Sequence, residues 1–520
     1  MNTNSSLIYQ VGQRMMAGFD GPYLDEAFIQ LIKKWKIGNV ILFAWNITGK
    51  EQLRELCRDI QKLVQEETGR PAFIAIDQEG GAVSRLPGDA TRIPGAMAIA
   101  ATGNPDNAYA AGRMTAEELL ALGVNFNLAP VLDVNSNDAN PVIGVRSYGE
   151  KPETVIQYAL PMMRGLDAGG VLSCAKHFPG HGDTSVDSHL ALPTVDKSVD
   201  ELWENELVPF QAAAKAGIPA VMSSHILFPK LDAKQPATLS RSILTDLLRK
   251  EMGYEGLIMT DCMEMKAIQH TVGTVQGTVD AIKAGADMVL ISHTASVAEA
   301  SAIAIREALE AGEIDAAEWE QSLARISALK DNYLDRPVPD YAIVGCESNM
   351  EANFKLLQET LTPIRVPGGK FPELGENPYF LGCPAFRATM VSNRDDDPFS
   401  FPVYMAEKLG GTALVSSSDP AAEEIAELVK QASQASCIVV GTYNGHLYKG
   451  QLELVNTLAA GSAPVVAVAL RNPYDLRHLK PTVWSMAAYE YTDQVFDAVA
   501  NVLQGKAAAT GKPTVTVLSE

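Results

Sequence analysis

Disulfide frameworks, basic surfaces, membrane spans and early histidines are what this sequence has least of. Its six cysteines, Cys57, Cys174, Cys262, Cys346, Cys383 and Cys437, form no Cys-x-x-Cys pair and lie too far apart for a disulfide scaffold. They are read as reduced thiols. Lys and Arg number 42 against 63 Asp and Glu, a net charge of −21. A chain this acidic repels phosphate backbones, so neither nucleic acid nor an anionic membrane is expected as partner. A locally basic pocket could still take a small anion. The most apolar runs, such as 218–222 and 463–470, end within about 10 residues, well short of the roughly 20 that span a bilayer. The stretch MNTNSSLIYQVGQRMMAGFDG has no basic segment followed by an apolar one, so no signal peptide and a cytoplasmic location are expected.

What is present is globular: 47% hydrophobic and 20% charged over 520 residues, with 40 Gly and 29 Pro spread along the chain. Short apolar runs recur at 15–19, 39–43, 72–77, 124–128, 171–176, 220–224, 256–260 and 287–292. Several are rich in Val and Ile and most follow Gly or Pro, the pattern of strands buried on both faces. Segments with helical spacing, such as 51–67, 107–122 and 199–216, separate most of them. Strands and helices alternating in this way predict a (β/α)8 TIM-like barrel. An open doubly wound sheet binding a dinucleotide would carry a Gly-rich fingerprint after an early strand, and none is there. The Pro-rich stretch DRPVPDY (335–341) follows an amphipathic segment and marks the expected boundary. Beyond it, strands are expected at 413–416, 435–441 and 464–470 and helices at 421–433 and 494–503, a smaller α/β sandwich-type domain. The expected division is a catalytic barrel over 1–335, a linker over 336–350 and a C-terminal α/β domain over 351–520.

In a barrel, working residues gather at the C-terminal ends of strands. Asp77 ends FIAID, Lys176 and His177 end VLSCAKH, and Asp261 ends GLIMTD. Any single strand-end Asp serves equally well as a helix cap or as partner to a buried Arg. Polar residues at three separate strand ends favour a site. The segment KHFPGHGDTSVDSH (176–189) holds three of the eight histidines and two Asp. It suits acid/base catalysis by one oriented His, with Asp187 and His189 a compact pair for that role. A metal site and a rigid loop that satisfies its own backbone compete with this reading. No His precedes His177, whereas metal-dependent barrel hydrolases often use an early His-x-His. No metal and no cofactor are therefore expected.

Four motifs, KHFPGHGDTSVDSH, IDQEGGAVSRL (76–86), NPVIGVRSYGE (140–150) and MTDCMEM (259–265), resemble glycoside hydrolase family 3, and within it the NagZ-type β-N-acetylglucosaminidase branch. The resemblance covers the barrel and reaches more weakly into CIVVGTYN (437–444) and VVAVALRNPYDL (465–476). It implies Asp261 as nucleophile, His189 as acid/base and Asp187 as its polarising partner. It implies Asp77, Arg85, Arg146, Lys176 and His177 as sugar-binding residues. The chain departs from the family pattern at Ala82, where a basic residue is frequent, and in having Cys262 after the nucleophile. Cys262 is expected to pack under its strand end. The implied activity is retaining removal of terminal β-linked N-acetylglucosamine, with peptidoglycan fragments as substrate.

The chemistry agrees with this assignment. A retaining glycosidase forms a glycosyl-carboxylate and hydrolyses it with a second group that acts as acid and then base. A His can serve because its ordinary pKa of about 6.5 lies near operating pH. A β-N-acetylglucosaminide phosphorylase remains an alternative, since a His does not repel incoming phosphate as a carboxylate would. A broader β-glucosidase of the same family, an inactive sugar-binding sensor and a metal-dependent hydrolase are the others. His225 and His293 are expected to be satisfied locally, and Met259, Met263 and Met265 to pack. In the second region Tyr443, Asn444, His446, Asn472 and Tyr474 suit a companion face to the barrel better than a carbohydrate patch or a homodimer face.

Overall fold

The computed structural model describes residues 3–185, 187, 191–386 and 399–518. Eight parallel strands close into a barrel: β1 Met15–Ala17, β2 Asn39–Leu42, β3 Phe73–Ile76, β4 Phe126–Asn127, β5 Leu172–Phe178, β6 Ala220–Ser223, β7 Leu257–Cys262 and β8 Met288–Ile291. Their inward residues, among them Met16, Phe73, Phe126, Leu172, Cys174, Met222 and Met259, fill the interior. Their outward residues, such as Val40, Ile74, Val221, Ile258 and Val289, pack under the helices. Burial on both faces is why these runs are continuously apolar.

Two local departures from the sequence expectation have simple causes. β4 is two residues long because side-chain amides replace ladder bonds at its flank. Asn125 accepts the Ile74 N–H at 2.8 Å and donates to Ala72 O at 3.0 Å. The helix expected over 199–216 breaks into Val199–Glu204 and Leu207–Lys215, with Asn205 out of helical geometry at φ −143°. Pro209 follows in the first turn of the second piece, where its missing N–H costs nothing.

A six-stranded sheet follows in the order β11-β10-β12-β13-β14-β9. Its strands are β9 Thr362–Arg365, β10 Pro378–Gly382, β11 Thr412–Val415, β12 Cys437–Thr442, β13 Val465–Ala469 and β14 Trp484–Ala487. β9 pairs antiparallel at one edge, where Pro363 needs no ladder donor. One apolar cluster of this sheet also contains Met97, Ala98, Ala101 and Val145 from the barrel. Among the described residues no helix is long and apolar enough to cross a membrane.

The helix Ala316–Tyr333 closes the N-terminal end of the barrel, packing Ile326 and Tyr333 against its interior. Beside them, buried Lys330 donates to Gln13 Oε1 at 3.1 Å, Gly38 O at 2.9 Å and Pro71 O at 3.2 Å. Lys330→Met strands all three oxygens, and a loss of about 3 kcal/mol in denaturant unfolding is expected. Burial pushes the Lys330 ammonium down to about 7, whereas an unfolded Lys titrates near 10.4. The wild type's advantage over the variant therefore grows as pH rises from 7 to 10. Identical unfolding midpoints for the two proteins would refute this account.

Candidate active site

The carboxyl ends of β3, β5 and β7 deliver Asp77, Lys176 with His177, and Asp261 to one mouth of the barrel. Lys176 Nζ lies 2.6 Å from Asp77 Oδ1 and 2.7 Å from Glu79 Oε1. Arg146, on the loop after β4, grips Glu79 with both Nε and Nη2 at 2.8 Å. Glu79 and Arg146 are almost fully buried, while Asp77 keeps 14% of its side chain exposed. Charged groups this deep persist only when paired. Burial alone would raise the Glu79 carboxyl, but the charges and hydrogen bonds of Arg146 and Lys176 hold it well below the ordinary range. Burial opposes the Lys176 and Arg146 cations in turn, and the carboxylates outweigh it and raise both. Cys174, two residues deeper in β5, has a thiol pushed up by burial, with the charges of Lys176, Asp77 and Asp261 also acting on it. The three strand ends open on the same end of one closed barrel.

A second buried carboxylate orders the loop after β5. Asp133 is fully buried and lies 2.7 Å from His177 Nδ1. It also accepts the backbone N–H groups of His177 at 3.2 Å and His181 at 2.7 Å. Burial raises the Asp133 carboxyl, but His177 and His181 together hold it below its ordinary value. With Nδ1 committed to Asp133, Nε2 of His177 faces Arg146 Nη2 at 3.5 Å. His181 points elsewhere: its Nδ1 meets Thr184 Oγ1 at 2.8 Å, and burial with the neighbouring His177 pushes its pKa down to about 4. It stays neutral and structural. Asn140 ties the loop after β4 to this one by donating to His181 O at 2.8 Å.

Gln78 folds the loop after β3 over its own amide. Its Oε1 accepts the N–H of Arg85 at 2.7 Å and of Leu86 at 3.1 Å, which brings buried Arg85 back beside the strand end. Asp261 accepts the Cys262 N–H at 2.7 Å. The Cys262 carbonyl meets His225 Nε2 at 2.8 Å, and His225 Nδ1 meets Thr238 Oγ1 at 2.8 Å, so that His is satisfied within the wall. Burial pushes the Cys262 thiol up to about 12. His293, just past the carboxyl end of β8, is exposed between Trp45 and Glu264. Asp187 is buried. His189 lies outside the described residues. Among the described residues no group of three or more His, Cys, Asp or Glu is arranged to hold a metal ion.

Sequence reasoning passes over Glu79 and Asp133, the two carboxylates that hold this arrangement together. Glu79 abuts Gly80 and Gly81 and reads as part of a turn. Asp133 lies in the loop beyond the apolar run 124–128, away from the strand end where a working residue is sought. The signal available for Glu79 was its spacing from Asp77, two residues apart at a strand end. Ala82 packs, partly buried, against the apolar core of the second sheet.

Residues 8–329 match the Glycosyl hydrolase family 3 N terminal domain. A Beta-hexosaminidase A of Pseudoalteromonas piscicida is 40% identical over 324 residues, 58% of this chain, and the match spans only 54% of that protein's length. A Beta-hexosaminidase of Chromobacterium violaceum is 35% identical over 326 residues, 60% of this chain and 90% of that protein. The solved structure of a glycoside hydrolase family 3 beta-N-acetylglucosaminidase from Paenibacillus sp. str. FPU-7 is 35% identical, with a TM-score of 0.89 over 99% of both chains. The family match covers most of the chain and the strand-end motifs lie inside it, so the chain belongs to glycosyl hydrolase family 3.

Proposed function

We propose that this protein is a retaining β-N-acetylglucosaminidase that removes terminal β-linked N-acetylglucosamine from peptidoglycan fragments in a cytoplasm. The observation that carries the reading is the mouth itself: Asp261 shares it with the paired ions Asp77–Lys176 and Glu79–Arg146. Likeness along the whole chain to the Paenibacillus enzyme supports the choice of sugar. On this reading residues 1–335 form the catalytic domain, and 336–350 link it to a C-terminal domain over 351–520.

Asp261 attacks the anomeric carbon and forms a glycosyl ester. His189, polarised by Asp187, protonates the departing oxygen and then takes a proton from the water that releases the sugar. Asp77, Arg85, Lys176 and Arg146 hold the sugar hydroxyls. His177 accepts a hydroxyl hydrogen bond at Nε2, because its Nδ1–H is spent on Asp133.

Release of nitrophenol from 4-nitrophenyl β-N-acetylglucosaminide, in phosphate-free buffer with a chelator, tests the assignment. The wild type should turn over, and Asp261→Ala should lose at least about 10³-fold in kcat. Turnover that requires phosphate would make the protein a phosphorylase, and turnover abolished by the chelator would make it metal-dependent. Proton NMR of the first product should show the β anomer ahead of the α, the mark of retention. Arg146→Ala should raise KM more than it lowers kcat, because a ground-state sugar contact is lost along with the Glu79 clamp.

A further inference from the structure

The second sheet touches the sugar network at two buried points. The first is Glu490, just after β14, which accepts the Gly95 N–H at 2.6 Å. The turn that carries Glu79 lies directly on this contact. Glu79 and Gly80 donate to Val83 O at 3.0 and 3.1 Å, and Gly81 donates to Ile93 O at 3.0 Å. A Cβ on Gly81, at φ +53°, would stand 2.8 Å from Glu490 Oε1, so carboxylate and turn meet with no room for a side chain. Ala82, the next residue, packs against the second sheet's core.

The second point is the segment after β13. Asn135 donates to Tyr474 Oη at 2.8 Å, and Asn135 Oδ1 accepts the Gly144 N–H at 3.1 Å. A Cβ on Gly144, at φ +45°, would lie 2.5 Å from Asn472 Oδ1. Val145 is buried in the apolar cluster of the second sheet, while Arg146, one residue on, reaches Glu79. Each of the two barrel loops that meet in the Glu79–Arg146 pair therefore rests on the second domain.

We propose that Glu490 and Tyr474 are positioning residues, through which the second domain sets the spacing of these two loops and so the grip of Arg146 on Glu79 and on a bound sugar. The inference depends on the reading of this mouth as the sugar subsite. Burial pushes the Glu490 carboxyl up to about 7, with the Gly95 N–H opposing. A neutral amide therefore fits the same place and keeps the acceptor.

The test compares Glu490→Ala, Glu490→Gln and Tyr474→Phe in the full chain. With 4-nitrophenyl β-N-acetylglucosaminide, Glu490→Ala and Tyr474→Phe should each raise KM about tenfold with kcat within about threefold, the signature of lost uniform binding. Glu490→Gln should stay within about twofold of wild type. Hydrogen exchange without ligand should show faster exchange at 79–83 and 143–147 in both disruptive variants, with β6 and β7 unchanged. Each variant should loosen both loops, because the ion pair couples them. Should Glu490→Ala not fold, Tyr474→Phe, which deletes one hydroxyl, carries the test. Wild-type KM and wild-type exchange in Tyr474→Phe overturn the proposal, as does a Gln variant as impaired as the Ala variant. If the wild type itself fails to turn over this substrate, the functional reading falls, and the exchange result still decides the positioning.

Discussion

The bidentate pair between Glu79 and Arg146 is the constraint on which the rest of the mouth depends. Glu79 also takes Lys176, and Lys176 takes Asp77, so two anions and two cations are buried as one neutral group. Removing a fully buried member would leave an uncompensated charge in the wall of the mouth, a cost of about 3–5 kcal/mol. The arrangement is therefore all or none. Three of its charges hold over the working range, since the Glu79 carboxyl is kept well below it and the Lys176 and Arg146 cations are raised above their ordinary values. Any bell-shaped pH dependence of turnover must then come from groups other than these three.

Much of this was legible in the sequence because both-face burial writes the barrel strands as unbroken apolar runs, and each Asp or Lys that reaches the mouth interrupts such a run at its end. Asp77, Lys176, His177 and Asp261 stand out for that reason. Other parts were illegible for equally physical reasons. β9 and β10 contain Pro363 and Pro378, and β14 is the short, mixed WSMA, so none shows a strand's pattern. Glu79 hides beside two glycines, and the role of Asp133 exists only once the loops after β4 and β5 are folded together. The contacts of Glu490 and Tyr474 span 395 and 339 residues of chain. No local pattern encodes pairings at that range.

The apolar packing does not respect the division of the chain into barrel and second sheet. Met97, Ala98, Ala101 and Val145 leave the barrel's own core to complete the other one. The segment near the C-terminus returns to the barrel, with Lys512 donating to Ala101 O at 2.7 Å and Thr516 to Glu150 at 2.8 Å. The barrel therefore finishes part of the second sheet's interior, and the C-terminal segment ties back to the barrel by surface hydrogen bonds.

Cys262 adjoins the carboxylate proposed to attack the sugar, and sulfur is a strong nucleophile when ionised. With the thiol pushed up to about 12, only about one molecule in 10⁵ carries a thiolate at pH 7. The same burial slows its reaction with peroxides and alkylating agents, which also require the thiolate. A second nucleophile thus adjoins the proposed one in sequence and is kept silent chiefly by desolvation, with the charges of Glu264 and Asp261 adding to it.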